Sequence, residues 1–378
     1  MLLPLSGRRL YYDLAGPENG PVVCITHTLA SDGGSWAEQM PALLQAGFRV
    51  LRLDMRGHGG SDPVAGDYTM SELAGDVAAV LDSLDITRVH YIGLSIGGMI
   101  GQAFALEHGD KLISALWCDT LPASPAGASE IWGPRIKAVQ AANSLEPIAE
   151  ASMDRYLSPA FRARNPGRWK QLRDTVIATT PQGYLGCSAA ILDFDFAPWL
   201  PSVKLPVLVV CGEEDAGTPA SENRRLAGLV PGARYEEIAG MRHFPNVEAP
   251  DAFNRIMLAW LDGQRRAEQA TQRLARTNET QRSWCIDDGG RVAEVVGQAR
   301  LHLRDSHGRE RSFERDPRQP AFAAALRGSS KELAAKLPPY GPIGRSRIHA
   351  SRWRSRSSSS AALRMRRASL NSDWALSS

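Results

Sequence analysis

The chain has 378 residues, 43% of them hydrophobic and 22% charged, with a net charge of +3. That is room for one large α/β domain plus a smaller addition. None of the five cysteines forms a C-x-x-C pair, and no apolar run is long enough to cross a bilayer, which argues against a zinc module, a disulfide scaffold and a membrane span. Met1 to Leu10 lacks the apolar core of a signal peptide, so the expected compartment is the cytoplasm. The charge is split: residues 264–378 carry 21 Arg, 2 Lys and 11 acids, a net +12, whereas residues 1–263 carry 21 basic and 30 acidic groups, a net −9.

In chain order, Val22-Val23-Cys24-Ile25-Thr26 reads as a buried strand leading into His27-Thr28-Leu29-Ala30. Val50 to Leu53 is a second strand, ending in Asp54-Met55-Arg56-Gly57-His58-Gly59-Gly60-Ser61. Thr69-x-x-Glu72 is a capping box, and Leu73, Val77, Val80, Leu81 and Leu84 fall on one helical face behind it. Val89 to Ile92 is a strand, a helix is expected from Gly98, and Leu112 to Cys118 is a strand again. The alternation predicts a parallel sheet covered on both faces. From about 121 to 198 the rhythm becomes helical and predicts an insertion over the sheet. Val207 to Cys211 resumes the sheet, and a helix with Pro250 in its first turn closes the domain near Gly263.

The chemistry is carried by Gly93-Leu94-Ser95-Ile96-Gly97, a G-x-S-x-G pattern between a strand and a helix. A turn that tight holds one residue clear of the backbone, so Ser95 is the candidate nucleophile and the Ile96 N–H a candidate oxyanion donor. Glycines at 93, 97 and 98 are expected because a Cβ there would strike the neighbouring strand or helix. A serine needs a base and an orienting acid. His243, in a Gly-containing loop after a short strand, is the base. Asp215, just past another strand, is the acid, with Glu213 or Glu214 as substitutes if that strand ends early. The chain order Ser, Asp, His is that of one triad architecture among several.

On these residues the chain resembles the α/β-hydrolase superfamily over residues 5–263, most closely the 3-oxoadipate enol-lactonases of aromatic degradation. The stretches Arg56 to Ser61, Gly93 to Gln102, Gly186 to Ile191 and His243 to Glu248 are similar to segments of that group. The resemblance implies an α/β-hydrolase fold with a helical cap at about 121–198. It also implies a cofactor-independent, metal-free serine hydrolase acting on a small lactone or ester. By position Leu29 supplies the second oxyanion N–H, while His27 reads as structural. His27-Thr28 stands where many hydrolases have His-Gly, and Arg242 stands before the catalytic His where a small residue is usual, either at the pocket mouth or in solvent. Trp132 and Arg135, three apart in the cap, would share a helical face above Ser95 and hold the ring and free carboxylate of an enol-lactone.

Rival readings are a general carboxylesterase or perhydrolase, a C–C hydrolase of ring-cleavage products, and a non-catalytic binding protein. Residues 264–378 form an Arg- and Ser-rich, low-order tail. Its composition is that of GC-rich DNA read out of frame, so a frameshifted or unnatural extension is the leading reading. A tail binding nucleic acid nonspecifically through clustered Arg is the second. For the hydrolase itself no nucleic-acid or membrane partner is expected.

Overall fold

The computed structural model describes residues 1–286, 292–296, 300–304 and 310–314, with side chains described over 1–271. The chain opens with a hairpin, β1 (Leu2–Leu5) and β2 (Arg8–Ala15), turned at Gly7 with φ of 75°. The sequence pattern predicts no strand there. In β2 only Leu10 and Tyr12 are buried between polar neighbours, too short an alternation to stand out. There follow β3 (Val22–Thr26), α1 (Met40–Gln45), β4 (Arg49–Leu53), α2 (Met70–Ser83), β5 (Val89–Leu94), α3 (Ile96–Glu107) and β6 (Leu112–Cys118). Both capping-box bonds of α2 form, Glu72 N–H to Thr69 Oγ1 at 3.1 Å and Thr69 N–H to Glu72 Oε2 at 2.9 Å.

The insertion comprises α4 (Ala128–Ala142), α5 (Glu146–Tyr156), α6 (Pro159–Arg164), α7 (Pro166–Ala178) and α8 (Pro181–Leu192). The sheet resumes with β7 (Val207–Gly212), α9 (Ala220–Leu229), β8 (Arg234–Ile238), α10 (Pro245–Glu248) and α11 (Pro250–Gln281).

The eight strands lie in the order β1-β2-β4-β3-β5-β6-β7-β8. β2 pairs antiparallel with β1 and with β4, and every pairing from β4 to β8 is parallel. β5 and β7 are buried along their whole length, as strands covered by helices on both faces must be. Such sheets gather functional groups at the carboxyl ends of their strands, where the strand order reverses. Here that means the loops after β3, β5, β7 and β8.

α11 does not stop at Gly263. A glycine after an apolar helical pattern reads as a helix end, yet this one sits mid-helix with open space where a Cβ would go. Beyond it, Arg265 donates to Ala46 O at 3.2 Å and Glu268 pairs with Arg88 at 3.0 Å. The first compact unit is Met1–Gln269 and the second Ala270–Ser378. The second unit contains two antiparallel pairs, β9 (Arg282–Ile286) with β10 (Val292–Val296), and β11 (Arg300–Arg304) with β12 (Glu310–Glu314). Most of the tail to which the low-order reading applies lies outside the described residues. No described helix is long and apolar enough to cross a membrane.

Candidate active site

Ser95 joins β5 to α3 with φ 58° and ψ −117°, a conformation an L-residue reaches only under constraint. The constraint is visible on every side of it. Its N–H donates to Cys118 O at 2.8 Å, and its carbonyl accepts from Thr120 Oγ1 at 2.8 Å and Met99 N–H at 3.0 Å. A Cβ on Gly93 would lie 2.2 Å from Gly97 O, one on Gly97 2.7 Å from Thr26 O, and one on Gly98 2.8 Å from the Thr120 side chain. Because Ser95 itself caps the helix, α3 begins at Ile96, two residues earlier than its sequence pattern suggested.

Asp215 follows β7 and His243 follows β8, and they meet: His243 Nδ1 lies 2.7 Å from Asp215 Oδ2. Asp215 also accepts from the N–H groups of Gly217 at 2.8 Å and Thr218 at 3.2 Å, and from the Thr218 hydroxyl. Burial alone would raise its pKa, but the neighbouring His243 and these donors outweigh burial and hold it below the ordinary carboxylate value. Glu213 is exposed and accepts from Gly240 N–H, and Glu214 is exposed too, so neither replaces Asp215. On its other nitrogen, His243 Nε2 faces Thr28 Oγ1 at 3.4 Å.

Leu29 lines the cavity beside Ser95, and Ile96 follows Ser95 as the first residue of α3. The loop bearing Leu29 is held by two buried imidazoles. His27 Nδ1 lies 2.8 Å from Thr28 O and its Nε2 accepts from Met55 N–H at 3.0 Å. His58 Nε2 accepts from Ala30 N–H at 3.1 Å. Burial, then the adjacent His27, pushes His58 down to about 3, so it stays neutral and keeps its acceptor lone pair. His27 is thus structural, as the sequence suggested. Arg56 has a structural task as well, a paired bond to Asp76 on α2 at 2.6 and 3.1 Å.

Ser95, His243, Thr28 and Leu29 line a cavity of about 170 Å³ whose roof is the insertion. Trp132 and Arg135 of α4 both line it, the guanidinium 5.5 Å from the indole centroid. The sequence did not single out Arg155 of α5, which lines the same cavity, nor Tyr156 and Tyr184 beside it. Both arginines are partly buried, and among the described residues neither has a carboxylate partner; Arg155 donates to Ala151 O at 3.1 Å and to Ser152 Oγ at 3.3 Å on its own helix. Burial, then the charge of Arg155, lowers the pKa of Arg135. Arg242 neither lines the cavity nor points freely to solvent: its guanidinium donates to Asp154 O at the end of α5.

Asp119, after β6, is a further buried acid. It accepts from Gly212 N–H at 2.9 Å and from the Cys118 thiol at 2.9 Å, and burial followed by repulsion from Asp215 raises its pKa well above the ordinary value. Asp119, Asp215 and His243 bring one potential ligand atom each within 4.8 Å of one another. Asp215 and Asp119 each spend both oxygens on protein donors, a donor set poorly suited to a cation.

Comparisons with known proteins bear on the fold and the family. The chain is 29% identical over 250 residues, 66% of its length and 92% of the relative's, to 3-oxoadipate enol-lactonase 2 of Acinetobacter baylyi. It is similar in structure to the enol-lactonase from Burkholderia xenovorans LB400, with TM-score 0.67 and 33% identity over 69% of this chain and 100% of that one. A thermophilic esterase from Thermogutta terrifontis, solved with malate bound, has TM-score 0.64 and 26% identity over 68% and 94%. The model of the α/β hydrolase fold matches residues 21–250, and the chain belongs to that family.

Proposed function

We propose that this chain is a serine hydrolase that opens a small enol-lactone bearing a free carboxylate, 3-oxoadipate enol-lactone being the reference substrate. Ser95 Oγ attacks the ring carbonyl while His243 Nε2 takes its proton, and Asp215 stabilises the resulting imidazolium through Nδ1. The N–H groups of Ile96 and Leu29 receive the oxyanion. Collapse of the tetrahedral intermediate breaks the ring C–O bond, and His243 returns the proton to the departing enolate. Water, deprotonated by the same imidazole, then attacks the acyl-enzyme, and the ring-opened keto acid leaves with Ser95 restored.

The observation that carries the substrate class is the pair Arg135 and Arg155: two partly buried cations on one small cavity with no carboxylate partner among the described residues. Like charges facing each other in a half-buried site are unfavourable until an anion sits between them, and a guanidinium holds a carboxylate through two parallel bonds. A neutral ester has no use for them. The enol-lactonase relatives support the ring chemistry. A general esterase is the second reading, favoured by the largely apolar remainder of the cavity wall, Met99, Leu121, Ile131 and Ile191.

Turnover of 3-oxoadipate enol-lactone, followed by NMR of the product, should be compared with that of the same ring lacking the carboxylate. The acid should be preferred in kcat/KM by ~10- to 100-fold, the effect of one charge-assisted contact of roughly 1.5–3 kcal/mol. Equal rates would assign a general esterase.

A further inference from the structure

Tyr156, the last residue of α5, belongs to the cap by sequence and to the catalytic floor by contact. Its hydroxyl donates to the carbonyl of Leu29 at 2.9 Å. Its ring stacks on the His243 imidazole, centroids 5.4 Å apart and planes inclined by 21°. Its own carbonyl accepts from Phe244 N–H at 3.0 Å. Around it the same junction of cap and floor is fastened again. Ser158 N–H donates to one oxygen of Glu248 at 2.6 Å, Arg242 N–H donates to the other at 2.9 Å, and the Arg242 guanidinium caps Asp154 O.

These bonds bear on one peptide in particular. His27 turns the Thr28 carbonyl toward itself, and in a trans peptide the Leu29 N–H then points the opposite way. The next peptide is gripped at both ends: Tyr156 holds its carbonyl at Leu29, and His58 holds its N–H at Ala30, where φ is 56°. Leu29 is therefore fixed on one side by the floor's own imidazoles and on the other by a phenol that the cap delivers.

The geometry points to Tyr156 as a positioning residue that makes the oxyanion hole complete only when the cap is seated. It acts through Leu29 and through the face of His243. This inference rests on the reading of Leu29 as an oxyanion donor. It goes beyond that reading by making a floor function depend on a cap residue.

Tyr156→Phe tests it, because the ring that packs on His243 and Phe244 remains and only the hydroxyl is lost. Kinetics should be measured per titrated active site on p-nitrophenyl acetate and on the enol-lactone, together with the rate of Ser95 labelling by a phosphonate. The expected result is a ~10-fold fall in kcat on both substrates, the equivalent of about 1.4 kcal/mol in the transition state. KM should stay within about twofold, labelling should slow in parallel, and the melting temperature should stay near wild type. Amide exchange at residues 28–31 should also quicken, which reads the loop directly. Unchanged kcat and labelling would overturn the inference. So would a loss confined to the lactone, which would make Tyr156 a substrate contact, or a loss that vanishes once active sites are counted. The acetate and phosphonate arms decide the matter even if the enol-lactone proves to be the wrong substrate.

Discussion

The floor and the roof of this cavity are built differently. On the floor several polar groups are held by the protein itself. Asp215 is held by four donors, His27 and His58 spend their nitrogens on backbone, and Ser95 is locked by bonds at its N–H and carbonyl. The Leu29 and Ile96 N–H groups are the proposed oxyanion donors there. On the roof, Arg135 and Arg155 carry charge with no carboxylate partner among the described residues. A floor arranged this way is set for a transition state whatever the substrate, because the groups that meet developing charge need no rearrangement. On the proposed reading, it is the roof that discriminates among substrates.

Breaking the floor should cost the most, and on every substrate alike. Ser95→Ala should lower kcat by ~10⁴-fold or more with folding intact, and a phosphonate should label Ser95 in the wild type alone. Residual wild-type-like hydrolysis would remove the nucleophile from the account. Asp215→Asn should cost less, ~10³- to 10⁴-fold, since the imidazole remains but loses its charge partner and its fixed tautomer.

The buried His58 should show itself in acid. Its folded-state pKa is lowered to about 3, whereas an unfolded chain takes up that proton near pH 6.5. The folded state refuses a proton the unfolded state accepts, so its contribution is intact above about pH 6.5 and is lost as pH falls from there toward 3. One such group gives a slope of about 1.4 kcal/mol per pH unit in that window. Urea unfolding across it should be steeper for wild type than for His58→Gln, which starts less stable but titrates no imidazole there. Identical slopes would mean that His58 is not held neutral.

The smallest effect concerns the end of the first unit. A chain cut after Gln269 should keep full activity, whereas one cut after Gly263 should melt a few degrees lower, having lost the Arg265 and Glu268 contacts to Ala46 and Arg88. Equal melting temperatures would restore Gly263 as the boundary.

The contrast between floor and roof also governs what could be read from the sequence. Strand-end loops carry their instructions locally: glycines at 93, 97 and 98 that no Cβ could replace, a serine between strand and helix, and acid and histidine past the next strands. Asp119 was missed because it follows a strand with no motif around it, and its importance comes from a neighbour nearly a hundred residues away. The roof was legible only as helices. Trp132 and Arg135 were found through their three-residue spacing, but Arg155 and Tyr156 sit on another helix. Nothing in the sequence says that α4 and α5 turn those side chains to the same cavity. Gly263 shows the opposite failure, a local signal overridden by a helix that packs well enough to tolerate it.

The central claim, that the floor performs the hydrolysis and the paired guanidiniums choose an acidic substrate, is tested most directly by Arg135→Ala, Arg155→Ala and the double substitution. Each should be measured on 3-oxoadipate enol-lactone and on p-nitrophenyl acetate. Each single change should cut kcat/KM for the acid by ~10- to 100-fold and leave the acetate nearly untouched. The double change should cost less than the product of the two, because both side chains hold one carboxylate. Parallel losses on both substrates, or none on either, would contradict the claim.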